Sequence, residues 1–484
     1  MPVVSSASMR NRFVTWGILL TAFAACGGGN GGGTSGSPES IGTLAYVVTE
    51  CRENADAVFF RYRLEIRQGD AAPLTVREIT PGPILLPGLC QYFGERRWGS
   101  ASVYGLAFQR LGVSPDGSRV AFELTDDFSI ISKNQVPPEE EGIYVVRSDG
   151  SGLQWLASAS RQPTFYFAGS LDFSGSVLWD TFFRFSPSGD RITYPDRWPD
   201  DAGEEAVQIA TLDLNTGKRM QVTHLHPQWK PEDEHVFFFD SGPVFLDEET
   251  IGFSIGSAAY SVKADGQTEP VPLPPPLTLP GSSIAPGFSI TGSVQSVYPL
   301  RLPGTSDVWE LFVSDQENLL QLTNFGRDDT AIDAVLSRDR RRVLFSAADD
   351  QQARSPMSPF GSNPYKNCQF FSVDTLGGDL RQLTNFNEGR LSMGEPSVGG
   401  CTYFAKRPDG CNVIIVGYDP DTDTIVFESS CDPCGTNPNG DQIFAMQFDG
   451  AGLRQLTNAR GLVMAADGSV TVELPGPAAY PGSS

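Results

Sequence analysis

Short runs of alternating apolar and polar residues, each preceded by a turn phrase, are the main pattern in this chain. The clearest run begins after Ser-Pro-Asp-Gly at 114–117 and continues as Ser-Arg-Val-Ala-Phe to Phe122. A second copy starts at Ser186 and a degenerate one at Ser337. Proline sets φ at the second position of a tight turn, and Asp-Gly provides left-handed residues. Because the alternation that follows is typical of a half-buried strand, each phrase predicts a β-hairpin.

Two more phrases follow that hairpin in a fixed order. A strand–turn–strand pattern occupies 143–153 and returns at 443–453. The phrase Gln-Leu-Thr-Asn occurs at 321–324, 382–385 and 455–458, and 221–224 is a looser copy. A full unit therefore has about four short strands in two hairpins, which is the composition of one β-propeller blade.

These phrases resemble the repeat of the TolB-type, WD-repeat-like β-propellers. The resemblance covers most of residues 41–474. It implies a family of periplasmic binding proteins, propeller halves of some serine peptidases, and surface lipoproteins. The phrases are informative about the fold and carry little information about function.

The number of blades follows from the positions at which the last strand of each unit ends. An all-β fold is predicted, with a single β-propeller of about seven four-stranded blades. Six blades is the alternative, because that number is closer to the TolB type. The strand at 470–474 is expected to pair with the strand at 44–48, which would protect two sheet edges. The seven closing strands end near Thr80, Ala157, Thr223, Leu273, Thr323, Thr384 and Thr457.

The charge balance excludes one class of function. The chain has 35 Lys and Arg against 58 Asp and Glu, a net charge of −23, whereas nucleic-acid binding needs a basic surface. Two interpretations of the acidity stay open: a charge that keeps an exported protein soluble, or an acidic face for a cationic partner. The 51 Gly and 36 Pro residues agree with a turn-rich all-β chain.

The first 25 residues have the pattern of a lipoprotein-type signal peptide. A basic segment at 9–12 precedes an apolar segment at 13–23, which is too short to span a bilayer permanently. Small residues then precede Cys26, which resembles the bacterial lipobox. On that resemblance Cys26 is lipidated and becomes the first residue of the mature protein. The alternative is an ordinary secretory signal with an incidental cysteine.

The same reading divides the chain into four parts. Residues 26–40 are a Gly/Ser-rich tether. Residues 41–474 form the propeller, and 475–484 form a disordered tail. The expected location is the bacterial cell envelope, either periplasmic or on the cell surface, with attachment to the membrane through the lipid on Cys26.

Seven cysteines follow Cys26, and export permits disulfides. The expected pairs are Cys51 with Cys90, Cys401 with Cys411, and Cys431 with Cys434, although spacing alone leaves the connectivity open. Cys368 would be left over. The Cys-x-x-Cys at 431–434 has two other readings, half of a zinc site or a redox pair.

The candidates for chemistry are few. Gly-x-Ser-x-Gly at 252–256 matches the nucleophile elbow of hydrolases, but strands are predicted on both sides of Ser254 and no helix follows. The histidines, His224, His226 and His235, all precede that serine. The acidic segment at 419–423 lacks the Gly and Glu of a calcium loop and is predicted to be a turn. No catalytic residue, metal or cofactor is predicted.

The function expected from these observations is a lipid-anchored, extracytoplasmic propeller that acts as a binding scaffold for an envelope protein or peptide and not as an enzyme. The alternative is a propeller enzyme, a lyase or hydrolase acting on a glycan in the central channel. The binding site is expected at the mouth of the channel or on the face that carries the long inserts at 125–142, 161–180 and 348–367.

Overall fold

The structure is a computed structural model, and it describes only part of the chain. The described residues are 41–54, 56–80, 82–83, 88, 90, 108–125, 136–160, 183–199, 203, 205–225, 243–255, 258–273, 278–280, 283–284, 296–304, 309–314, 318–325, 334–347, 369–384, 386, 413–429, 431 and 442–481.

The described strands form seven antiparallel sheets arranged as the blades of a ring. Seven blades are therefore confirmed. Blade 1 comprises β4 (Phe108–Val113), β5 (Arg119–Leu124), β6 (Gly142–Arg147) and β7 (Gln154–Ala157). Blade 2 comprises β8 (Arg184–Phe185), β9 (Arg191–Pro199), β10 (Glu205–Asp213) and β11 (Arg219–Gln221). Blade 3 comprises β12 (Val244–Phe245), β13 (Thr250–Ile255), β14 (Ala258–Lys263) and β15 (Val271–Pro272).

Blades 4 to 6 repeat the same four-stranded order. Blade 4 comprises β16 (Ser283–Ile284), β17 (Ser296–Arg301), β18 (Trp309–Ser314) and β19 (Leu319–Gln321). Blade 5 comprises β20 (Ala334–Leu336), β21 (Arg342–Ala347), β22 (Gln369–Asp374) and β23 (Arg381–Gln382). Blade 6 comprises β24 (Val413–Asp419), β25 (Thr424–Ser429), β26 (Gln442–Gln447) and β27 (Arg454–Gln455). A 3-10 helix at Pro138–Glu140 precedes β6.

The closing blade contains both ends of the described chain. Its order is β28 (Gly461–Met464), β29 (Val470–Ala479), β1 (Thr43–Glu53), β2 (Val58–Gln68) and β3 (Leu74–Ile79). β29 pairs with β1 along most of its length, so the predicted closure is confirmed. The strand continues to Ala479, and Tyr480 is buried. The disordered tail predicted to begin at 475 is therefore wrong for residues 475–481.

Antiparallel connection places the turns on two opposite faces of the ring. The turns between first and second strands, and between third and fourth strands, lie on one side, which we call the turn face. The other connections begin and end on the opposite side, which we call the loop face. Most of each long insert lies outside the described residues.

The core is distributed between the blades. One apolar cluster joins the closing blade to blade 1 through Phe60, Tyr62 and Phe122, and another joins blades 5 and 6 through Phe370 and Phe427. Blades pack against neighbours on both faces, so inner strands such as β5 and β22 are buried at almost every position, whereas β2 alternates buried and more exposed residues. Further clusters join blades 1 and 2, 2 and 3, 4 and 5, and 6 and the closing blade, so most of the core lies between neighbouring blades.

The repeated Gln-Leu-Thr phrase has a structural role in the fourth strand. In blades 2, 5 and 6 its threonine hydroxyl donates to a buried glutamine of the third strand, with distances of 2.9, 2.9 and 2.8 Å. The same hydroxyl accepts a backbone N–H of that strand at 2.8 Å in each blade. Blade 4 replaces the glutamine with a buried glutamate, Glu310, which accepts from Thr323 at 2.6 Å. The three glutamines are Gln208, Gln369 and Gln442.

Candidate functional site

A cavity of about 480 Å³ opens on the turn face where the two ends of the described chain meet. Residues 41–43 and 68–70 of the closing blade line one side, and 115–117 of blade 1 line another. Asp419 and Asp421 of blade 6 and Pro481 complete the wall. We call this space the seam cavity, since three adjacent blades form it.

Hydrogen bonds between distant segments hold the walls of the seam cavity. The Thr43 hydroxyl donates to the carbonyl oxygen of Gly117 at 2.6 Å. The backbone N–H of Gly42 donates to the phenolic oxygen of Tyr480 at 3.0 Å, and Gly69 donates to the Gly42 carbonyl at 3.4 Å. Burial raises the pKa of Tyr480 to about 12, so this phenol is neutral at physiological pH. The cavity is thus built on a fixed frame.

The charges that line the seam cavity are negative. Four aspartates, Asp70, Asp116, Asp419 and Asp421, contribute to its wall. Arg454 lies 3.5 Å from Asp70, and Arg338 lies 3.0 Å from Asp421. The charged residues of the lining are thus all carboxylates, although Arg119 and Arg67 behind the wall also interact electrostatically with Asp116 and Asp70.

Asp116 and Asp419 are held by their own turns. Oδ1 of Asp116 accepts from the Ser114 hydroxyl at 2.6 Å and from the Ser118 N–H at 3.0 Å. Burial alone would raise the pKa of Asp116, but these hydrogen bonds outweigh it and hold the pKa below its usual range. Oδ1 of Asp419 accepts from the Asp421 N–H at 2.8 Å. Within the described part of the chain, no group of His, Cys, Asp or Glu is arranged to hold a metal ion.

A second polar cluster lies between blades 1 and 2. Arg110 and Glu123, both buried, form an ion pair at 3.2 Å, and Arg110 also donates to the Ser160 hydroxyl at 2.6 Å. The Tyr194 ring lies against the guanidinium groups of Arg110 and Arg219, 5.4 and 5.7 Å from its centroid. Burial raises the pKa of Tyr194. The sequence analysis missed this cluster, because its members come from separate strands with no shared phrase.

The cysteines can be compared with their predicted roles in part. Cys51 and Cys90 form a disulfide, the pairing expected from the sequence. Cys431 is buried and also disulfide-bonded, to a cysteine outside the described residues. Its pairing with Cys434 stays a prediction. Cys26, Cys401, Cys411 and Cys434 all lie outside the described residues.

The motifs considered for chemistry lie in ordinary propeller elements. Ser254 belongs to β13 and pairs with Ala259 of β14, so a strand-to-strand connection replaces the strand–turn–helix of a nucleophile elbow. Residues 420–423 form the turn between β24 and β25, as predicted. His224 is exposed after β11, and His226 and His235 lie outside the described residues. Among the helices of the described part, none is long and apolar enough to cross a membrane.

Comparisons with known proteins gave distant resemblances to solved structures. No family model and no curated protein matches the chain. Solved structures that it resembles include TolB from Acinetobacter baumannii, at 13% identity over 90% of this chain and 82% of that one, with a TM-score of 0.37. An oligogalacturonate lyase from Vibrio parahaemolyticus is similar at 10% identity over 90% and 98% of the two chains, with a TM-score of 0.40.

A prolyl endopeptidase structure is also similar, at 12% identity and a TM-score of 0.43, over 85% of this chain. The chain spans about half of that protein, 49% of its length. The chain is a seven-bladed β-propeller. Its seven sheets confirm the predicted propeller fold, and TolB structures are among those that the chain resembles.

The expectation that the chain is not an enzyme has to be corrected. It rested on the argument that repeated units build surfaces and that no catalytic constellation is visible. Proteins with this fold include a prolyl endopeptidase, oligogalacturonate lyases and an acylaminoacyl peptidase. A repeat architecture therefore does not exclude catalysis, because function is carried by sites placed on a fold.

Proposed function

We propose that the chain is an envelope lipoprotein, attached through Cys26, whose propeller binds a protein or peptide partner. We further propose that the seam cavity receives a cationic group of this partner, such as a lysine, an arginine or an amino terminus. The observation that carries the proposal is the seam cavity itself, where four aspartates line a space of about 480 Å³.

Rigidity supports binding at this place. The wall consists of turns from three blades, joined by hydrogen bonds between residues far apart in the sequence. A preformed site binds without first ordering its own side chains and loops, which lowers the cost of association. The negative charge of the wall would also attract a cationic partner and accelerate its encounter.

The envelope location is supported by the first part of the sequence and by the disulfide. Residues 9–26 have the order of a basic segment, an apolar segment and a cysteine after small residues. The Cys51–Cys90 bond is of the kind that persists in oxidising compartments outside the cytosol.

Capture from an envelope extract tests the binding proposal. The wild-type chain and an Asp116→Asn/Asp419→Asn variant would be compared. Asparagine keeps the oxygen that accepts the hydrogen bonds of each turn but removes the charge. We expect the wild type to enrich one partner and the variant to capture about tenfold less of it. High salt should reduce the amount captured by the wild type.

The matched control is Asp265→Asn. Asp265 lies in an exposed turn of blade 3, where it accepts the Gln267 N–H at 3.0 Å. This control makes half the charge change of the double variant, so Asp116→Asn alone would be measured beside it. Equal capture by the wild type, both Asp116 variants and the control would contradict binding at the seam cavity.

The anchor is tested separately. Cys26→Ala should move the protein from the membrane fraction to the soluble fraction, since acyl chains make attachment stable. Mass analysis of the N-terminal peptide would identify the lipid on the wild type. If Cys26→Ala still sediments with membranes and carries no lipid, Cys26 is not the anchor.

A further inference from the structure

The turn that opens blade 5 places an arginine where the matching turns of blades 1 and 2 place glycine. The turns that open blades 1 and 2 have Gly117 and Gly189 at φ values of 68° and 74°. The corresponding residue of blade 5 is Arg340, at φ 57°. A side chain with a β-carbon is strained in this left-handed region. Strain of this kind, kept against a local rule, is a reason to look for a function.

Arg340 is part of a short basic run. Residues 338–342 contain four arginines in a chain whose net charge is −23. Arg340 and Arg341 are exposed, and neither forms an ion pair with another described residue. Arg342 pairs with Asp379 at 2.9 Å. Two guanidinium groups on this turn are therefore available to a ligand.

An exposed leucine lies beside these arginines. The Thr375 N–H donates to the Arg341 carbonyl at 2.9 Å, and the Thr375 hydroxyl donates to the Arg340 carbonyl at 3.2 Å. These bonds seat the β22–β23 turn against the β20–β21 turn. Leu376, the next residue, is 84% exposed, against 61% for Val271. We call Arg340, Arg341 and Leu376 the blade-5 patch.

The blade-5 patch lies on the face where the chain begins its first strand. Arg338 reaches from the same turn to Asp421 of blade 6 at 3.0 Å. Asp419, in the same turn of blade 6, lies against Gly42 of the closing blade. A β-carbon added to Gly42 would be 3.3 Å from the Asp419 carboxylate. Residue 41, where the described chain begins, therefore lies on the turn face, separated from the patch by blade 6.

We propose that the blade-5 patch docks on an anionic membrane surface, so that the tethered propeller rests on the membrane with blade 5 lowest. This rests on the proposed anchor at Cys26. The guanidinium groups would contact lipid phosphates while Leu376 enters the boundary between headgroups and acyl chains, the combination that interfacial segments use. A leucine at the tip of a convex turn fits a deformable lipid surface better than a rigid protein surface.

The large negative charge of the whole chain does not prevent this contact. Charges in physiological salt are screened beyond about 8 Å, so the membrane responds mainly to the patch and its neighbours. Asp339 and Asp379 partly offset the arginines, and docking by the patch alone should be weak. The tether compensates for this weakness by keeping the patch at a high local concentration near the membrane.

Hydrogen–deuterium exchange on reconstituted protein tests the proposal. The full exported chain would be placed in vesicles of phosphatidylcholine alone, and of equal parts phosphatidylcholine and phosphatidylglycerol. Peptides covering 337–342 and 374–381 should exchange more slowly only in the anionic vesicles. Removing one arginine from an anionic surface weakens contact by about fivefold, so protection should fall by roughly that factor per charge.

Three variants of the patch, Arg340→Gly, Arg341→Gln and Leu376→Ser, and one control make the test specific. Arg340→Gly restores the residue of the sister turns and should fold at least as well, yet lose protection. Leu376→Ser should lose it as well. Arg301→Gln is the control, because Arg301 is exposed and ends the second strand of blade 4 on the loop face. It makes the same charge change as Arg341→Gln and should leave protection unchanged.

Protection that is equal in both vesicle types, or that survives Arg340→Gly with Arg341→Gln, would overturn the proposal. So would protection that requires an envelope protein in place of anionic lipid. If the mass of the N-terminal peptide shows no lipid, the anchor has failed, and flotation of the free chain with anionic vesicles then decides the docking. Flotation that Arg340→Gly reduces supports docking, and no flotation overturns it.

Discussion

At the scale of single residues, the threonine of the Gln-Leu-Thr phrase explains why the phrase recurs. Its hydroxyl joins the fourth strand to the third, and the buried glutamine opposite also joins the segment that follows. In blade 5, for example, Gln369 accepts the Phe386 N–H at 2.8 Å and donates to the Phe386 carbonyl at 3.0 Å. A glutamine can do both, since its amide has an acceptor oxygen and a donor nitrogen.

Sequence reasoning found the threonine and missed its partner. The glutamine precedes the threonine by 15 residues in blades 2, 5 and 6, and Glu310 precedes Thr323 by 13. A search for polar residues 15 positions before the threonine, inside apolar runs, would have found the three glutamines. The spacing escaped notice because the partner lies within a strand that otherwise varies from blade to blade.

Glu310 provides a prediction at this scale. Glu310 has no amide N–H to donate to a carbonyl as Gln208, Gln369 and Gln442 do. We therefore expect Glu310→Gln to raise the free energy of unfolding by about 1 kcal/mol, the worth of one net hydrogen bond. Urea unfolding would measure it.

The reciprocal change is the control. Gln369→Glu places a carboxylate in the same environment of blade 5 and should lower the free energy of unfolding by about 1–3 kcal/mol, because a buried carbonyl loses its donor. If both substitutions leave the unfolding midpoint unchanged, the glutamine clamp does not stabilise the blades.

At the scale of elements, the closing blade shows where the sequence reading was sound and where it was incomplete. The pairing of the last strand with the first was predicted, but the strand was ended at 474. Pro475 and Pro477 follow, and proline in a run normally marks the end of a central strand. β28 pairs only with residues 470–473 of β29. Beyond residue 473, β29 therefore has no described neighbour on that side that would accept a hydrogen bond from its backbone N–H groups. Prolines are accepted there.

The seam cavity was beyond sequence reasoning for another reason. Its key contacts join Gly42 to Tyr480, 438 residues apart, and Thr43 to Gly117, 74 residues apart. Each turn phrase predicts its own hairpin, but not which turns become neighbours or what space they enclose. The repeat therefore predicts the blades, and the arrangement of charged turns emerges only when the ring closes.

The disulfide provides a prediction for the N-terminal elements. Cys51 and Cys90 are 39 residues apart, and both are buried. A loop of this length is stabilised by about 4 kcal/mol in the chain-entropy model. The double variant Cys51→Ser/Cys90→Ser should lose up to about that amount, measured by urea unfolding. A reducing agent should affect the wild type more than this variant, and an equal effect on both would contradict the assignment.

At the scale of the whole molecule, closure makes the ring depend on its last residues. Tyr480 is fully buried and belongs to the apolar cluster that joins the closing blade to blade 6. Tyr480→Ala should lower the free energy of unfolding by about 3–5 kcal/mol, as for other buried aromatic residues.

Tyr480→Phe is the matched comparison. It keeps the ring and removes the hydroxyl, which accepts the Gly42 N–H and also bonds with Thr422, so we expect a loss of about 1–2 kcal/mol. Thermal unfolding followed by near-UV circular dichroism would measure both variants. A stability of Tyr480→Ala equal to that of the wild type would mean that the ends of the chain do not hold the ring together.

The proposals for the whole molecule form one picture. A chain anchored at Cys26 would rest on the membrane through blade 5 and hold the seam cavity open toward a partner in the envelope. The cavity and the blade-5 patch have opposite charge and lie on the same face, separated by the turn of blade 6. Attachment, orientation and binding would then use different residues.

Site-specific photo-crosslinking in cells tests the central claim most directly. A photoreactive residue would replace Gln68, which is exposed and lines the seam cavity, and in a second strain Gln267, an exposed turn residue of blade 3. We predict one defined adduct with an envelope protein or peptide from position 68, absent from position 267 and lost with Asp116→Asn/Asp419→Asn. No adduct from position 68, or the same adducts from both positions, would contradict binding at the seam cavity.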